Sequence, residues 1–124
     1  MGKRILVYGD DHKAREVQSS LANAGAETEL VSGIEKTLSE LERTQPDALV
    51  FVLQVYWEGA LDLVKQIRKL PGLERMPIFY LGDFIESHNQ IYLQEKGVKT
   101  LTLGPVPAEE SARYIIKLVE GSIF

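Results

Sequence analysis

Cysteine is absent from the 124 residues, so the chain has no disulfide framework, no thiolate nucleophile and no cysteine-based zinc site. That absence fits a reducing compartment. Long hydrophobic runs are missing as well. The longest, Ala48 to Leu53, is far too short to cross a bilayer, and Met1-Gly2-Lys3-Arg4 leads into only a few apolar residues before Gly9-Asp10-Asp11. The expectation is a cytoplasmic domain with no membrane insertion. Positive charge is in deficit: 14 Lys and Arg stand against 18 Asp and Glu, a net charge of −4 that repels nucleic acid and anionic membrane surfaces. No direct nucleic-acid partner is expected. Repeats, low-complexity stretches and linkers are lacking too, so a single domain over residues 3–120 accounts for the chain. What is present, 44% hydrophobic and 26% charged residues, places the sequence among globular chains.

Short apolar runs alternate with helical patterns, the rhythm of βαβ units. Ile5-Leu6-Val7-Tyr8 ends at Gly9-Asp10-Asp11, and Val17, Leu21 and Ala24 then recur at helical spacing before a stop at Gly25. Glu27 to Val31 is a shorter, more polar strand suited to a sheet edge, followed by a helix carrying Ile34, Leu38 and Leu41. After Pro46-Asp47 comes Ala48 to Leu53, apolar on both faces as a central parallel strand must be. A helix with Leu61, Val64 and Ile67 ends near Pro71-Gly72, and Pro77 opens the strand Ile78 to Leu81. A helix with Ile91 and Leu93 stops at Gly97. Val98 to Leu103 makes the last strand, and Pro107 with Glu109 and Glu110 begins a final helix through about Val119. Right-handed crossovers turn these five strands and five helices into a doubly wound parallel α/β sheet with helices on both faces.

Such a sheet works at the carboxyl ends of its central strands. The residues there are Gly9 to His12, Val52 to Gly59, Gly82 to Glu86 and Gly104 to Pro107.

At these loops the sequence resembles a response-regulator receiver domain, CheY-like, over almost its whole length. The resemblance is carried by Ile5 to Asp11 with Arg15, Pro46-Asp47 to Val52, Ile67-Arg68 with Pro71, Pro77 to Gly82, and Gly97-Val98 to Gly104-Pro105. It implies a flavodoxin-like (βα)5 fold with strand order 2-1-3-4-5. In that family two acids after the first strand bind magnesium and an aspartate ending the third strand accepts a phosphoryl group. A Thr or Ser after the fourth strand and a Lys before a proline after the fifth complete the set. A phosphoryl group in flight carries dispersed negative charge, so an anionic nucleophile needs a metal ion and a cation beside it.

By position, the first acid falls on Gly9, the second on Asp10, the phosphoacceptor on Val52, the hydroxyl on Gly82 and the lysine on Gly104. Only Asp10 matches. Sliding the first segment by one would make Asp10 and Asp11 the pair. No slip rescues Val52, because counting from Pro46-Asp47 and from Ile67-Arg68 reaches the same residue. The aromatic switch position falls on Leu101. The resemblance is therefore to a degenerate receiver, with no catalytic residue, no metal and no cofactor. It implies a phosphorylation-independent interaction module of bacterial two-component (phosphorelay) signalling.

Alternatives stay open at this level. Asp10, Asp11 and His12 suit a divalent ion or, equally, the capping of the first helix. Gly82 and Gly104 leave room for a ligand or simply turn the chain, since no Gly-x-Gly-x-x-Gly or Gly-x-x-x-x-Gly-Lys pattern surrounds them. A ligand- or metal-sensing domain is thus the competing class, and a receiver with a displaced acceptor such as Asp10 or Glu58 is a third. Tyr56 and Trp57 either plug the vacant site or anchor a partner. Tyr92, Lys99, Leu101, Tyr114 and Lys117 fall on the face that receivers use for dimers and output, so the expected partner is a kinase, an output domain or a second copy. By resemblance, the Gly104-Pro105 bond is expected to be cis.

Overall fold

The structure, a computed structural model, describes residues 2–53, 59–82, 87–102 and 107–121. Strands β1 (Arg4–Tyr8), β2 (Glu27–Val31), β3 (Ala48–Val52), β4 (Ile78–Gly82) and β5 (Val98–Thr102) alternate with helices α1 (His12–Asn23), α2 (Ile34–Thr44), α3 (Gly59–Arg68), α4 (Ser87–Glu95) and α5 (Ala108–Gly121). All strand pairs are parallel and the sheet order is β2-β1-β3-β4-β5, the expected doubly wound arrangement. Local chemistry sets the element ends. Asp11 Oδ1 accepts the Ala14 amide at 2.9 Å and starts α1. Gly25, at φ +103°, lets the chain reverse into β2.

Alternation along the strands divides the core into two layers. Ile5, Val7, Ala48, Val50, Val52, Phe79 and Leu81 pack with α1 and α5, through Ala14, Val17, Leu21, Ala112, Ile115 and Val119. Leu6, Tyr8, Leu49, Phe51, Ile78 and Tyr80 pack with Leu41 of α2, Leu63, Val64 and Ile67 of α3 and Leu93 of α4. The every-residue apolar pattern of β3 follows from this, for its five residues are all buried. Register also lines up Val31, Tyr8, Phe51, Tyr80 and Thr100 across the five strands. Within that row the Tyr8 and Phe51 rings lie 5.2 Å apart and Phe51 and Tyr80 5.8 Å apart.

One detail departs from the sequence reading, one lies outside the described residues and one sharpens it. Leu53 leaves the strand pattern, although its amide still donates to the Leu81 carbonyl at 3.0 Å. Leu103, expected to end the last strand, lies outside the described residues. Ile91 is 53% exposed while Leu93 is fully buried, so α4 packs on the sheet through Leu93, beside which Gln90 Nε2 donates to Thr100 Oγ1 at 3.0 Å. Two apolar residues two positions apart cannot share one helical face, and the sheet takes Leu93.

Candidate functional site

The carboxyl edge of the sheet is where the fold puts chemistry, and β1 delivers Gly9 there. The Gly9 amide donates to the Val31 carbonyl at 2.9 Å. A Cβ built on Gly9 would lie 2.6 Å from the Ala14 Cβ and 2.9 Å from the Val52 carbonyl oxygen. The space a side chain would need is filled by α1 and by the end of β3. Gly9→Ala is therefore expected to cost about 1–3 kcal/mol through overpacking, read as a lower urea midpoint at unchanged slope. An unchanged midpoint would show that the edge has room.

The neighbouring acids divide their work. Asp11 caps α1, as one of the two sequence readings has it, while Asp10 is exposed and its backbone carbonyl accepts Arg15 Nη1 at 3.2 Å. His12 projects into solvent 3.7 Å from Glu16, and Lys13 sits 3.4 Å from the same carboxylate. Among the described residues no group of three His, Cys, Asp or Glu comes together to hold a metal ion.

Val52 ends β3 at 1% exposure, beside Val50 and Leu81 in the apolar layer under α1 and α5. Gly82 is buried at the end of β4. The edge thus brings Gly9, Val52 and Gly82 onto adjacent strand ends with neither a carboxylate nor a hydroxyl on any of them. Tyr56, Trp57, Glu58, Gly104 and Pro105, with the expected cis bond, lie outside the described residues.

At the β5 edge of the sheet, Tyr92 on α4 and Tyr114 on α5 are 49% and 42% exposed, and Lys99 on β5 and Lys117 on α5 are exposed with them. Leu101 behaves differently. Registered against Leu81, it is partly buried and packs on the α1/α5 core layer, so it adds little to an open surface.

Sequence reasoning placed Arg68 only as part of a resemblance and missed what it does. From the last turn of α3, Nε donates to the Lys96 carbonyl at 2.9 Å, and Nη1 to those of Leu73 at 3.2 Å and Met76 at 2.7 Å. Burial pushes its pKa down. The side chain ties α3 to the turn before β4 and to the turn between α4 and β5, at the amino edge of the sheet. The only sequence signal was an arginine in a last helical turn ahead of Pro71-Gly72.

No protein-family model and no curated protein matches the sequence. Solved structures do match in fold. The response regulator receiver domain protein (CheY-like) of Methanospirillum hungatei JF-1 superposes with a TM-score of 0.82 at 18% identity, over 98% of this chain and 96% of its own. Chemotaxis response regulator CheY4 of Vibrio cholerae gives 0.79 at 17% identity, over 96% and 99%. The signal receiver domain of a signal transduction histidine kinase from Syntrophus aciditrophicus gives 0.78 at 20% identity, over 98% and 93%. The fold is that of CheY-like receiver domains.

Proposed function

We propose that this chain is a receiver-like module of two-component signalling that works without aspartyl phosphorylation, through contact with a protein partner. The observation that carries the reading is Val52: it falls where the resemblance puts the phosphoacceptor, and it is an aliphatic side chain at 1% exposure. Valine offers no nucleophilic atom and no metal ligand. The closure of Gly9 by Ala14 and the Val52 carbonyl adds to this, since the first metal-binding acid has no space at that position. A module of this kind catalyses nothing. It acts as a fixed surface or through a partner that selects one of its conformations.

The surface offered to the partner is the α4–β5–α5 face, with Tyr92, Tyr114, Lys99 and Lys117. Exposed tyrosines give contact area at low entropic cost, and the lysines add a charge that an acidic partner would meet. Among the described residues no helix is long and apolar enough to cross a membrane.

Incubation with a small-molecule phosphodonor and magnesium is expected to leave the intact mass unchanged. A phosphoryl adduct on Asp10, Asp11, Glu58 or any other carboxylate sinks the reading.

A further inference from the structure

The amino edge of the sheet holds a cation that pairs with no anion among the described residues. The Arg68 guanidinium is half-buried and fixed by three carbonyl oxygens, which orient it without neutralising it. Its ion-pair partners are missing: among the described residues no carboxylate lies within salt-bridge distance of it. Nε and Nη1 are used by the carbonyls, whereas Nη2 donates to no acceptor among the described residues. Nη2 faces Gly97, at φ +78°, and a Cβ there would stand 3.3 Å from it. Glycine keeps that face open. An open cleft of about 560 Å³ lies here, and Arg75 and Lys96 line it along with Glu74 and Glu95. Three cations against two carboxylates leave its lining at net +1, on a chain whose net charge is −4.

We propose that this cleft binds a phosphate group, with Arg68 Nη2 as the fixed donor and Arg75 and Lys96 as the mobile cations that close on it. A guanidinium already locked by its other nitrogens loses little further freedom on binding, and its hydrogen bonds to an oxyanion are charge-assisted. Glu74 and Glu95 oppose the anion and keep the affinity modest. The site lies at the opposite edge of the sheet from Val52 and involves no phosphoryl transfer, so it stands or falls independently of the proposed function.

The test is a ¹⁵N NMR titration of the whole chain with inorganic phosphate at constant ionic strength. Saturable shifts of the Arg68 Nε–H and the Gly97 amide are expected, and chloride should not reproduce them. The double variant Arg75→Gln, Lys96→Gln keeps the Lys96 carbonyl and should fold normally, yet weaken phosphate at least about fivefold. A phosphomonoester titrated in parallel separates the two sources of the group: tighter binding than inorganic phosphate marks an organic phosphate as occupant, equal binding the free ion. Shifts that grow linearly as with chloride, or an affinity unchanged in the double variant, overturn the proposal.

Discussion

Val52→Asp, which places a carboxylate where the proposed reading puts a lost phosphoacceptor, is expected to lose stability and gain no phosphorylation. The side chain sits at 1% exposure among Val50, Leu81 and the apolar residues of α1 and α5. An ionised carboxylate left unpaired in such a place costs on the order of 3–5 kcal/mol, a large part of the roughly 5–15 kcal/mol that holds a domain of this size together. The penalty depends on pH, because burial disfavours the charged form and raises the carboxyl's folded-state pKa above its unfolded value of about 3.9. Stability relative to the parent is then best below the unfolded pKa. It falls as pH rises toward the folded pKa and stays low above it. Urea midpoints at acid and neutral pH should therefore diverge for the variant. Phosphorylation should still fail, since Gly9 and Gly82 supply neither metal ligand nor hydroxyl. A variant as stable as the parent at neutral pH that takes up a phosphoryl group would show that this edge is an open site lacking only its nucleophile.

The contrast between Val52 and Gly9 shows how far a sequence alone can reach. Val52 as the buried end of a central strand was legible because the resemblance fixes its place from Pro46-Asp47 on one side and Ile67-Arg68 on the other. The missing nucleophile is a statement about residue type, which needs no coordinates. Gly9 read as a turn glycine left an acid's place empty. That the place is filled depends on how α1 leans on β3, and no local pattern encodes the approach of Ala14 to the Val52 carbonyl. The exposure of Ile91 was hidden for a related reason. Helical periodicity gives a face, but on a helix as short as α4 only the sheet decides which of two apolar residues is covered. The row of Tyr8, Phe51 and Tyr80 was hidden likewise, because register across strands from three distant segments is a property of the assembled sheet.

Arg68 was the least legible residue and carries the second large expectation. Its three acceptors come from the Leu73 and Met76 backbone on one loop and the Lys96 backbone on another, 28 residues away in sequence. Arg68→Met keeps the aliphatic stem and its packing but removes every donor, leaving the Lys96 and Met76 carbonyls to find water in partly buried positions, while the Leu73 carbonyl keeps the Met76 amide at 3.4 Å. Charged hydrogen bonds are worth about 1.5–3 kcal/mol each, yet these share one side chain and some solvent, so a total of roughly 2–4 kcal/mol is expected. That corresponds to a fall in melting temperature on the order of 10 °C. Arg68→Lys should land between the two, because an ammonium cannot span both loops with a fork of donors. The loss should also be local in hydrogen exchange. Amides of α4 and of the turn before β5 lose their tie to α3, and α4 is then held to the sheet by the buried Leu93 and the Gln90–Thr100 hydrogen bond. Protection should drop there beyond the global loss, while α1 and the central strands follow global stability alone. A melting temperature within about 2 °C of the parent, well inside the shift expected for even 1 kcal/mol, would mean that these carbonyls are satisfied by water and that Arg68 does not hold the amino edge together.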